Sequence, residues 1–172
     1  HTPVFVHAGP FANIAHGNSS IIADRIAMRL AEYTVTESGF GADCGFEKFA
    51  DIKCRYSGLQ PDCVVIVCSI RALKMHSGTI QVIPGKPLAK ELVSENLKAI
   101  AQGAENLAKH IENVALFGVP AVVAINRFAT DTDRELDLAR NLALKAGAKS
   151  VAVSEVWAHG GEGGQELAEA VI

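Results

Sequence analysis

No strong charge of either sign marks this sequence. Its 16 Lys and Arg against 19 Asp and Glu leave a formal charge of −3. That balance gives no electrostatic footprint for nucleic acid or an anionic membrane surface. Long hydrophobic runs are missing too, because charges interrupt every window of the roughly 18 to 20 residues that a membrane span needs. The short apolar run after His1-Thr2-Pro3 lacks a basic lead-in, so it does not read as a signal peptide. The cysteines are Cys44, Cys54, Cys63 and Cys68, and their spacing makes neither a paired zinc knuckle nor a C-x-x-C redox motif. Cys63 and Cys68 lie in or beside the apolar segment CVVIVCSI, where cysteine acts as a small buried hydrophobe. A reducing, cytoplasmic compartment is the economical expectation.

What is present points to an ordinary globular core. The 172 residues are 49% hydrophobic and 20% charged, a composition that excludes intrinsic disorder and fits a single domain over 1–172. Five short Val- and Ile-rich runs read as strands: Pro3 to Ala8, Tyr33 to Glu37, Cys63 to Ile70, Pro120 to Ile125 and Ser150 to Ser154. They are nearly continuous rather than alternating, as strands buried on both faces of a parallel sheet are. Helical periodicity lies between them. Leu97, Ile100, Ala104, Leu107 and Ile111 step by three and four, as do Leu136, Ala139, Ala143 and Ala146. Thr130 to Asp133 supplies N-cap candidates for the second of these, and Asn18-Ser19-Ser20 precedes a third helix marked by Ile22, Ile26 and Leu30. Strand–helix repetition predicts an α/β fold, a mostly parallel sheet with flanking helices. The chain starts on a strand pattern and stops on an uncapped helical one, GQELAEAVI, as a segment of a longer α/β enzyme would.

In such a sheet, ligands bind beyond the carboxyl ends of the strands. The loops there are rich: AGPFANIAHGNSS, ESGFGADCG, RALKMHSG, NRFATD and EVWAHGGEGG. A phosphate-binding G-x-x-x-x-G-K-[ST] loop is missing from the sequence, since the single Gly-Lys pair, Gly85-Lys86, is followed by Pro87. Gly39, Gly41 and Gly45 miss the G-x-G-x-x-G spacing by one residue, which leaves two readings. One is a turn ahead of a helix starting near Phe46. The other is a loop that senses phosphate or a metal-bound water, with Asp43 as its acid. The strand end at Asn126 is of the kind that reads a nucleotide base. An aromatic follows each of the last two strands, Phe128 and Trp157, and among only ten aromatics Trp157 is the sole tryptophan. As neighbours the two rings could clamp a planar ring; as core residues they would simply fill space. Arg71, Lys74 and His76 follow the third strand, and cations at a helix start call for an anion nearby. No Ser-His-Asp order or H-x-x-x-H pair is evident.

The segments AGPFANIAHGNSS, TESGFGADCGFEKFADIKCRYSGL, VCSIRALKMHSG, VPAVVAINRFATDT and WAHGGEGG together resemble the formate–tetrahydrofolate ligase family, over essentially the whole chain. Around R-A-L-K the family pattern V-A-T-[IV]-R-A-L-K-x-H-G-G is met with small-residue exchanges at Cys68, Ser69 and Ser77. The segment IPGKPLAKELVSENL resembles a longer variant of that loop. The resemblance implies part of a P-loop NTPase-like fold and ATP-dependent joining of formate to tetrahydrofolate through formyl phosphate. It implies ATP with Mg2+, a monovalent cation as activator, small-molecule substrates, a homotetrameric cytoplasmic parent enzyme, and neither nucleic acid nor membrane as partner. By motif, Phe128 and Trp157 would stack on the pterin. Gly39, Gly41, Asp43 and Asn126 would lie on the nucleotide side, and Asn13, His16, Arg71 and Lys74 would form a catalytic, anion-handling region. The family's P-loop lies upstream of the matched segment, so this stretch alone would be inactive. The competing reading from the residues is a non-catalytic nucleotide-binding module related to P-loop ATPases.

Overall fold

The computed structural model describes residues 2–6, 11, 15–83 and 85–172. The chain gathers into two compact units, His1–Pro61 and Asp62–Ile172, which are described in turn.

The first unit is helical. Helix α1 (Ile21–Leu30) starts at Ser20, whose side chain accepts the Ala23 N–H. Helix α2 (Gly45–Lys48) runs into a π-helical stretch, Phe49–Cys54, and then α3 (Arg55–Ser57), which stops at Gly58 in the left-handed region. Its core holds Phe46 stacked on Phe49, with the Lys53 ammonium 5.0 Å from the Phe49 ring centroid and paired to Asp24 at 2.5 Å. Two expected strands are not formed among the described residues. Residues Pro3–Val6 and Tyr33–Glu37 carry no ladder, and Val6 and Val35 are almost fully exposed. The apolar pattern was real, but a strand exists only with a neighbour to accept its N–H groups. The one β contact described in this unit is an isolated antiparallel bridge between Asn18 and Ser38. Helix α1 also departs from expectation: Ile22, Ile26 and Leu30 are exposed, and its buried residue is Asp24.

The second unit holds a parallel sheet of three strands in the order β1-β2-β3: β1 (Val64–Cys68), β2 (Ala121–Asn126) and β3 (Ser150–Ser154). Its register pairs Ile66 with Val123 and Val123 with Val151. Central β2 is buried on both faces from Ala121 to Ile125, as its unbroken apolar run requires. Edge strand β1 is not, since Val65 and Val67 are exposed. Between β1 and β2 lie α4 (Ile70–His76), α5 (Lys90–Val93) and α6 (Leu97–Leu116). Helix α6 is capped by the Asn96 side chain on the Ala99 N–H, and its three-four spacing buries Ile100, Ala104, Leu107, Ile111 and Val114. Each fully buried aliphatic side chain contributes about 1.5–3 kcal/mol. Helix α7 (Asp133–Lys145) links β2 to β3, and α8 (Val156–His159), a 3-10 turn (Gly160–Gly164) and α9 (Gln165–Val171) close the unit.

The free edge of β3 is blunted by side chains rather than left open. Arg140 donates to the Val151 carbonyl at 2.9 Å, Glu166 accepts the Val153 N–H at 3.3 Å, and Arg140 and Glu166 pair with each other at 2.9 Å.

Candidate functional site at the strand ends

Three parallel strands in register deliver their following residues to one end of the sheet. Ser69 to Arg71 follow β1, Arg127 and Phe128 follow β2, and Glu155 to Trp157 follow β3. The ladder continues one step past β2, because the Arg127 N–H donates to the Ser154 carbonyl at 3.1 Å. The Arg127 guanidinium reaches Asp133 at 3.0 Å and Glu155 at 3.7 Å, drawing the start of α7 and the end of β3 together. Glu155 N–H donates to the Gly163 carbonyl, and a Cβ on Gly163 would collide with the Glu155 backbone. That contact folds the glycine-rich turn back against the segment that carries Trp157.

Phe128 heads a tight turn. Its N–H donates to Asp131 Oδ2 at 2.8 Å, and the Asp131 N–H donates back to the Phe128 carbonyl at 3.0 Å. The guanidinium of Arg71 lies over the Phe128 ring, 4.2 Å from its centroid, and donates to Thr130 Oγ1 at 3.2 Å. Phe128 remains 37% exposed and Trp157 94% exposed. Neither fills core space, and the stacked ring pair among the described residues is elsewhere, at Phe46 and Phe49. Phe128 and Trp157 thus stand at the same end of adjacent strands without covering each other.

Lys74 is placed differently from the expectation of an anion-handling cation. Its side chain has no exposed surface: Nζ lies 2.6 Å from Glu135 Oε1 and donates to the carbonyls of Leu92 and Ser94. Burial there was not readable from the strand end, because α7 packs over α4 and supplies the carboxylate. Glu135 is itself a capping-box residue, taking the Thr132 N–H while Thr132 Oγ1 accepts the Glu135 N–H, and it also accepts the Asn96 N–H at 2.8 Å. Burial pushes the Glu135 carboxyl up, but bonds from Lys74, Thr132 and Asn96 with the Lys74 charge bring it below the usual range. Asp131 is shifted the other way. Burial holds it above the usual range, with the Glu135 charge assisting, against the Phe128 N–H and the Lys74 and Arg71 charges. Its Oδ1 is buried without a hydrogen-bond partner.

The remaining expected residues are scattered. Asn126 is half-buried at the end of β2, in the second unit. Gly39, Gly41 and Asp43 belong to the first unit, as does exposed His16, and Asn13 lies outside the described residues. The loop around Gly39 is pinned rather than free. Gly39 N–H donates to the Gly17 carbonyl, Cys44 N–H to the Gly41 carbonyl, and Gly45 abuts Gly39 so closely that a Cβ would strike its backbone. Phe40 is held at a φ of 62°, in the left-handed region. Sequence reasoning missed Asp131 and Glu135 as partners of this end of the sheet. The Thr132-x-x-Glu135 spacing was the available signal for the second.

Comparison with known proteins decides the family. The sequence model of formate–tetrahydrofolate ligase matches residues 1–172. The chain belongs to the formate–tetrahydrofolate ligase family. Among members of that family, it is 63% identical to the formate–tetrahydrofolate ligase of Desulforamulus reducens, over 97% of this chain and 30% of that protein. The ligase of Dehalococcoides mccartyi is 60% identical over 99% of this chain and 28% of that protein. The cytoplasmic C-1-tetrahydrofolate synthase of Mus musculus is 59% identical, over 99% of this chain and 18% of that protein. The chain therefore spans between about a fifth and a third of the length of these ligase relatives. Among the described residues no group of three or more His, Cys, Asp or Glu gathers as a metal site would, so none is assigned to Mg2+. No helix among them is long and apolar enough to cross a membrane.

Proposed function

We propose that this chain supplies the folate-facing part of a ligase that uses ATP to join formate to tetrahydrofolate. The observation that carries this reading is the pair of exposed rings, Phe128 and Trp157, at the same end of adjacent strands. Exposed aromatics at strand ends are costly as surface and suited to a flat heterocycle, each ring contact contributing about 1 kcal/mol. In the proposed reaction a formate oxygen attacks the terminal phosphorus of ATP and ADP leaves. The folate amine then attacks the formyl carbon and phosphate departs. Both steps depend on positioning and on stabilising developing negative charge. Mg2+ would supply charge neutralisation on the phosphates.

Within this chain the residues divide by role. Phe128 and Trp157 take the ring. Asn126 at the end of β2 is proposed as a reader of the nucleotide base. In the first unit, Gly39, Gly41 and Asp43 are proposed as nucleotide-side residues, and Asn13 and His16 as anion-handling ones. Lys74, with every donor direction turned inward, acts through Glu135 on the start of α7. With no P-loop in the 172 residues, the chain by itself binds the ring without turnover. The cytoplasm is its proposed compartment, in keeping with the name of the mouse relative.

The test is a fluorescence titration of the chain with tetrahydrofolate, corrected for inner-filter absorption. Trp157 is the only tryptophan, so it reports the site directly. Saturable quenching that weakens in Phe128→Ala supports the reading. No saturable change, or a response to ATP and not to tetrahydrofolate, overturns it in favour of no ring site or a nucleotide module.

A further inference from the structure

We propose that Arg71 and Asp131 are positioning residues for Phe128, holding its ring so that a single face is offered to a planar, amino-substituted heterocycle. This rests on the folate-facing reading above and adds to it two residues and a mode of action. One bond to the Asp131 side chain, Phe128 N–H to Asp131 Oδ2, and one between backbone groups, Asp131 N–H to the Phe128 carbonyl, leave the backbone of this turn little freedom. The side chain of Phe128 is then limited to its rotamers. Arg71 selects among them by placing its guanidinium carbon over one face, 4.2 Å from the ring centroid, and Thr130, inside the same turn, anchors the guanidinium in place. The back face is covered and the front face is open, in keeping with the partial exposure of Phe128.

This arrangement changes what Arg71 does. Its Nε is buried without a partner and one terminal nitrogen is committed to Thr130, and its proposed action on a ligand runs through the ring. A cation on one face withdraws π density from the other. The open face then favours an electron-rich ring such as an aminopyrimidinone over an electron-poor one.

The experiment compares the chain with Arg71→Met, Arg71→Lys, Asp131→Ala and Asp131→Asn. Dissociation constants are read from Trp157 fluorescence for two probes: tetrahydrofolate, and a tetrahydropterin lacking the glutamate tail. Arg71→Met and Asp131→Ala are expected to weaken both probes by about tenfold. Arg71→Lys, which keeps the charge without the flat face, falls between. Asp131→Asn retains an oxygen that accepts the Phe128 N–H and stays within about twofold of wild type. Weakening confined to tetrahydrofolate would show Arg71 reading the tail carboxylates and would overturn the proposal. So would equal losses in Asp131→Asn and Asp131→Ala. A second readout needs no ligand: Arg71 side-chain protons shifted by the Phe128 ring current should return to ordinary values in Asp131→Ala and not in Asp131→Asn. An Arg71 signal without that shift in wild type overturns the proposal whatever binds. A normal shift with no binding of either probe leaves the ring geometry standing and sinks the folate reading instead.

Discussion

Lys74 Nζ lies 2.6 Å from Glu135 Oε1, and neither side chain exposes any surface. The pair joins α4, directly behind β1, to the first turn of α7, directly behind β2, and through Asn96 to the cap of α6. Three elements that leave the site end of the sheet are therefore tied at one carboxylate. Such a pair contributes modestly as a whole, because desolvation offsets much of the attraction, but it is severe to break by halves.

Replacing Lys74 by Met leaves the Glu135 carboxylate buried without its counter-charge. The expected cost is about 3–5 kcal/mol of folding stability. Urea unfolding of wild type and variant checks it, and a loss within experimental error would show the pair to be solvated.

The same carboxylate sets the response to acid. Glu135 has its folded value below the usual 4.5, so it releases its proton more readily folded than unfolded. Its contribution is present above about pH 4.5 and is lost as pH falls through the lower, folded value. Glu135→Gln should therefore differ most from wild type near neutrality, with the stability gap narrowing as pH falls below 4.5. A gap independent of pH would contradict this. Asp131 acts in the opposite sense, since its penalty is relieved on protonation, and it is common to both proteins.

At the alkaline end the relevant group is Cys68. Burial pushes its thiol up to about 12, against an ordinary value of 9.0. The thiol stays protonated in the fold while the unfolded chain ionises above pH 9. Stability should then fall by about 1.4 kcal/mol per pH unit between pH 9 and 12 from this group alone. Cys68→Ala should flatten that limb. In native protein, alkylating reagents should reach half-buried Cys63 before Cys68.

Gly103 is where α6 crosses α4. A Cβ there would run into the carbonyl of Leu73 and close on the Ser77 N–H, both backbone groups that cannot swing away. Gly103→Ala gains helix propensity but forces the two helices apart. Overpacking of this kind costs about 1–3 kcal/mol. A melting temperature above that of wild type would show the crossing to be looser than described.

Legibility followed how local each signal was. Helices α6 and α7 were readable because the three-four spacing of Ile100, Leu107 and Ile111, and of Leu136, Ala139 and Ala143, encodes one buried face on its own. The strands at Val64–Cys68, Ala121–Asn126 and Ser150–Ser154 were readable from their short Val- and Ile-rich runs, although burial on both faces holds only for the central one. Pro3 to Ala8 and Tyr33 to Glu37 carry similar patterns, yet their described residues form no strand. A pattern states what a segment could bury, and the ladder partner is a property of the rest of the fold.

By its sequence alone this protein declared an α/β fold, its two long helices, three of the five loops expected at strand ends and the family those motifs resemble. Each follows from neighbours within a few turns of chain or from whole motifs. Only the tertiary structure decided where the charges went. Arg71 and Lys74 are three residues apart on one short helix, yet one covers an aromatic ring and the other ends in the core against Glu135. The difference arises because the turn at Phe128 and Thr130 meets Arg71, whereas Glu135 on α7 and the carbonyls of Leu92 and Ser94 meet Lys74. Side-chain partners some 60 residues away leave no mark on local spacing.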